Sequence, residues 1–162
     1  MVSLYFEATE EQKEELEKIE LHDYKEVLAR LYDEVYCYEE FGSYQGDWLA
    51  KVRKGNEVFW LLGWYGSCSG CDFFLSIENY PWEMRSKTFE EAKKQYQEET
   101  DRILKAFRDD YEADKFTQEE IEKHYEERLK SEWSDDEDAA MLEYVKSHAN
   151  IENKGVSNGK AN

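Results

Sequence analysis

Apolar residues return at Tyr24, Leu28, Leu31, Val35 and Tyr38, the spacing of one face of a helix. Asp23 stands just before them as an N-cap. The last turn contains "VYCY", which is β-prone, so a change to strand there is the alternative. Upstream, Thr9 with Gln12 three residues on has capping-box spacing and predicts a short helix to about Ile19. The opening "VSLYF" reads as a short strand. Downstream, three more capping pairs precede helical stripes. Thr88 and Glu91 lead into Phe89, Tyr96, Ile103, Phe107 and Tyr111. Thr117 and Glu120 lead into Ile121, Tyr125, Leu129 and Trp133. Ser134 and Glu137 lead into Met141, Leu142 and Val145. Each stripe is narrow and backed by acidic residues, so each of these helices packs through one side.

Between the helical regions the period changes to two. "DWLAKVR" and "EVFWLLGWY" flank Lys54-Gly55-Asn56, which predicts a hairpin. In the second of these strands Val58, Trp60, Leu62 and Trp64 share one face, and Phe59, Leu61 and Tyr65 the other. Both faces are apolar, which predicts a central strand covered on both sides. "DFFLSIE" follows as a third strand, or else a short helix. The fold class expected is α+β: a small antiparallel sheet with its central hairpin at about 47–65, covered by helices, with a helical C-terminal extension. The organisation expected is an aromatic, Gly- and Cys-rich module over 1–82, an acidic helical extension over 83–149 packed on it, and a disordered tail over 150–162.

Composition narrows the function classes. The 162 residues carry a net charge of -18, and 37% of them are charged. Direct nucleic-acid binding needs Lys and Arg clusters on phosphates, and anionic membranes need the same, so neither is expected. The longest apolar runs fall far short of a membrane span. The N-terminus lacks a basic segment followed by an apolar one, so no secretory leader is expected. Three cysteines give no disulfide framework, and a cytoplasmic setting follows.

Candidate chemistry centres on two loops. Cys68 and Cys71 form a C-x-x-C pair, with Cys37 as a third ligand if its element lies beside the hairpin. A structural zinc needs four ligands, so no cofactor is expected and zinc is the alternative. A redox pair would need a long helix after the second cysteine, and Pro81 intervenes. The simpler reading is a tight turn using cysteine as a small buried apolar residue. In the other loop, Asp47 precedes a strand. With Asp72 it could form a pocket rimmed by Tyr44, Trp48 and Tyr65. Phosphate-loop and dinucleotide fingerprints are absent, and no local nucleophile–base pattern appears, so an enzyme is not expected. The acidic helices suggest instead a face that imitates a phosphate backbone. Asp109, Asp110, Tyr111, Asp135, Asp136, Glu137 and Asp138 are its candidate contact residues, with Tyr32, Tyr96, Tyr125 and Trp133 interleaved among acids elsewhere.

"YQGDW" (44–48) and "YGSCSGCD" (65–72) together resemble a two-loop pattern in small uncharacterised proteins of bacteria and their phages. The likeness spans about residues 36–82. It implies a shared small fold and a phage or mobile-element origin, and it carries no activity. The function expected is an acidic binding protein that inhibits or modulates a host protein by occupying its basic, nucleic-acid-binding surface. In that case it would act in the host cytoplasm. A metal-binding module on Cys68 and Cys71, or a small-ligand pocket near Asp47 and Asp72, is the alternative.

Overall fold

The computed structural model describes residues 7–66 and 88–151. The expected strand at 2–6, the segment "DFFLSIE", and the tail from 152 onward lie outside those residues.

Helix α1 (Glu10–Ile19) starts where Thr9 and Gln12 exchange hydrogen bonds. Asp23 caps α2 (Tyr24–Leu31) by accepting from the Glu26 N–H at 2.8 Å. Arg30 reaches back to the carbonyls of Lys18 and Ile19 at 2.8 and 2.6 Å, a cation at the C-terminus of α1.

The helical spacing of Val35 and Tyr38 is misleading. Helix α2 ends at Leu31, and both residues lie on strand β1 (Glu34–Gly42). The register between β1 and β2 (Gly46–Lys54) shifts between Val35 and Cys37. That bulge inserts one residue, so side chains three apart fall on the same sheet face, as they would on a helix. Strand β3 (Glu57–Tyr65) completes an antiparallel sheet of order β1-β2-β3. Its turn from β2 uses Gly55 at φ +62° and no positive φ at Asn56, the pattern of a II′ hairpin. β2, rather than β3, is central among the described strands. β3 is nevertheless covered on both faces, and Trp60 exchanges two backbone hydrogen bonds with Phe116 along its outer edge.

Thr88 caps α3 (Phe89–Glu112) and Thr117 caps α4 (Gln118–Lys130), the latter through a full capping box. Helix α5 (Asp136–Ser147) is capped one residue later than its sequence suggests: the box is Asp135 with Asp138, not Ser134 with Glu137. The fold is α+β, with a three-stranded antiparallel sheet and five helices among the described residues.

The sheet separates two cores. Trp48, Ala50, Val52, Phe59 and Leu61 pack with Tyr24, Val27 and Leu28 of α2 and Ile103, Phe107 and Tyr111 of α3. Leu49 and Trp60 pack on the other face with Ile121 and Tyr125 of α4 and Met141 and Val145 of α5. The later helices therefore complete both cores. On the second face Lys51 is 1% exposed. Its ammonium donates to the carbonyls of His148 and Ala149 at 3.0 and 2.9 Å, and to Gln118 Oε1 at 3.4 Å. The same Gln118 oxygen accepts from the Trp60 indole at 2.8 Å. A cation thus ties the end of α5 to the middle of the sheet. Among the described residues, no helix is long and apolar enough to cross a membrane.

Candidate functional site

At one end of the sheet Gly42, Gly46 and Tyr65 lie side by side. The β1–β2 turn and the exit of β3 therefore meet there, as a shared pocket requires. Asp72, Cys68 and Cys71, which that pocket and the zinc alternative need, lie outside the described residues.

The neighbours expected at the rim behave differently from one another. Tyr44 projects from the turn and is 75% exposed. Tyr65 is half-buried and donates its hydroxyl to the Phe41 carbonyl at 3.1 Å. Trp48 is no rim residue. It is wholly buried, and its indole lies nearly parallel to the Phe107 ring with centroids 5.9 Å apart. Cys37 faces the second core, level with Lys51 and Trp60 and about 17 Å along the strands from Tyr65. Among the described residues no group of three or more His, Cys, Asp or Glu side chains is gathered as metal ligands.

The acidic contact residues also divide. Asp109 and Asp110 are exposed on α3, but Tyr111 is buried in the first core. Asp135, Asp136 and Glu137 are exposed at the start of α5, on the opposite side of the sheet. Two groups expected to form one face thus belong to different layers. Asp138 leaves the surface altogether. It is 1% exposed, accepts from Arg128 Nε at 2.9 Å, and accepts from the Asp135 N–H at 3.1 Å. The interleaved aromatics are mostly core: Tyr32 and Tyr125 are buried and Tyr96 partly so, whereas Trp133 is 82% exposed.

The sheet end does bring together one residue of the expected pocket and several of the expected acidic face. Asp47 is the second residue of β2, on the same face as Leu49 and Lys51 because side chains alternate along a strand. It is half-buried and has no hydrogen-bond or ion-pair partner among the described residues. Leu49 packs in the same core as Tyr125 and Met141. Arg128 lies one helical turn after Tyr125, and Asp138 three residues before Met141. Asp47, Tyr125, Arg128, Asp138 and the start of α5 thus share one corner.

Their electrostatics agree with that placement. Burial pushes the Asp47 carboxyl above the usual carboxylate range. Arg128 opposes this, and Asp138, Asp135 and Glu137 add to it. Burial works against the Arg128 charge, but the hydrogen bond and charge of Asp138, with Asp47 and Asp135 beyond, outweigh it and raise its pKa. Burial raises the Tyr125 phenol, and Asp47 raises it further. That hydroxyl is buried without a hydrogen-bond partner among the described residues. Sequence patterning marks Tyr125 as core and is silent on its hydroxyl, since no local spacing links it to Asp47.

The raised Asp47 pKa has a measurable sign. The folded state holds this proton more tightly than the unfolded chain does. The resulting stabilisation is complete below the unfolded pKa and is lost as pH rises through the folded one. Asp47→Asn does not titrate. Its urea-denaturation stability relative to wild type should therefore improve as pH rises through the carboxylate range, then stay constant. A difference that is flat between about pH 3 and pH 7 would contradict the burial of this charge.

A second acidic locus is an open cleft of about 500 Å³ between α1 and α2. There His22 lies 3.1 Å from Glu26 and 3.7 Å from Glu20, and Arg30 is held by the carbonyls of Lys18 and Ile19.

Compared with known proteins, the chain matches no family model, no curated protein and no solved structure.

Proposed function

We propose that this chain is an acidic, non-enzymatic binding protein that modulates a host protein by occupying a basic surface made for nucleic acid. Its origin in this reading is a phage or mobile element, and its place of action the host cytoplasm. The observation that carries the reading is the charge. A net -18 resides in a chain whose carboxylates stand exposed along α1, α3, α4 and α5, for example at Glu11, Asp101, Glu126 and Asp136. Such a surface accelerates encounter with a cationic partner and repels nucleic acid. The layer formed by α4 and α5 suits contact best. It combines Asp135, Asp136 and Glu137 with exposed Trp133, and it adjoins the Asp47 corner. Aromatic groups among charges favour an interface over a purely solvated face.

The test is retention of a host protein by the immobilised chain from nuclease-treated lysate. Retention is expected at low salt and should fall steeply towards about 0.5 M salt, where exposed charges are screened. Neutralising Asp135, Asp136 and Glu137 together should reduce it. Retention that ignores salt, or no retained protein at low salt, would overturn the reading.

A further inference from the structure

The Asp47 corner holds two polar groups that have no partner among the described residues. One is a half-buried carboxylate, and the other is the hydroxyl of Tyr125, a residue 1% exposed. Buried polar groups are normally hydrogen-bonded, so each needs a reason. Tyr125 belongs to the same core as Leu49, which lies two residues from Asp47 on the same sheet face. The hydroxyl and the carboxylate therefore belong to the same corner of the second sheet face. Both groups accept hydrogen bonds, and one of them is anionic.

We infer that the Asp47 corner is a receptor for an arginine side chain of the basic partner, with the Tyr125 hydroxyl as a second acceptor behind the carboxylate. This deepens the function proposed above and rests on it. A guanidinium brings five N–H donors in a planar fork, which can engage a carboxylate in a bidentate pair and still reach another oxygen. The ammonium of lysine is a compact point charge without that fork. Arg128 is a like charge nearby, but Asp138 already holds it at 2.9 Å. Asp135 and Glu137 leave the corner net negative. Tyr44 and Trp133 stand exposed on the two adjoining turns and offer ring faces on which a guanidinium stacks. The cleft between α1 and α2 is also acidic, but it presents no buried orphan group of this kind.

The test uses a short synthetic peptide of alternating arginine and glycine, with Kd measured at low salt. Asp47→Asn should weaken binding about tenfold, and Tyr125→Phe about threefold. Glu11→Gln removes one exposed charge from α1 in the opposite layer and should change Kd less than about twofold. A lysine–glycine peptide of equal length should bind the wild type more weakly than the arginine peptide. Circular dichroism and a denaturation midpoint show that each variant is folded. Equal losses from Asp47→Asn and Glu11→Gln would overturn the corner as a site and leave the charge-based reading standing. Equal binding of the two peptides would overturn the guanidinium assignment. No binding by the wild type would overturn the reading and this inference together.

Discussion

Lys51→Met should lower folding stability by about 3 kcal/mol, seen as a fall of roughly 1–2 M in the urea midpoint. Methionine keeps the length and apolar stem of lysine, so little packing is lost. What is lost is the ammonium. The carbonyls of His148 and Ala149 and the Gln118 amide oxygen would then lose a charged donor at the end of α5. Gln118 keeps the Trp60 indole and the His148 carbonyl keeps the Ile151 N–H, but the Ala149 carbonyl has no other donor among the described residues, and an acceptor left unmatched costs more than a typical hydrogen bond contributes. The effect should be local as well as global. Amide exchange near Ser147 should accelerate more than exchange in α2, which packs on the other sheet face. An unchanged urea midpoint would mean that Lys51 is not the latch its geometry describes.

Gly63→Ala should cost a similar amount, about 3 kcal/mol, through overpacking. Gly63 pairs with Trp48 across β2 and β3, and a Cβ added there would overlap the Trp48 indole. That ring cannot retreat. It is wholly buried among Tyr24, Tyr38, Phe107 and Tyr111 at centroid distances from 5.2 to 5.9 Å. The second-site variant Trp48→Phe replaces the indole with a smaller ring, so the double variant should lose less than the sum of the two single losses. Strict additivity in that double-mutant cycle would contradict direct contact as the cause.

Local signals were the legible part. Thr9, Asp23, Thr88 and Thr117 all cap helices where their spacing predicts, because a cap is completed within three residues. The hairpin at 47–65 is also local, since Gly55 supplies the positive φ its turn requires. At α5 the spacing of Ser134 and Glu137 predicts the cap, but the box forms one residue later from Asp135 and Asp138, and Asp138 also accepts from Arg128. The start of β1 was obscured because a bulge imitates helical spacing.

The sequence by itself determined the α+β class, most helix starts, the hairpin and the strongly acidic balance, all of which depend on composition or on neighbours a few residues apart. Only the tertiary structure decided which acids share a surface. It placed Asp109 and Asp110 in one layer and Asp135 to Glu137 in the other. It also buried Tyr111 and Asp138, and it set Asp47 of the hairpin beside Tyr125 and Arg128, some eighty residues on. Those outcomes depend on which face of the sheet each helix covers. Contacts between distant segments settle that, and no spacing within a single segment records it.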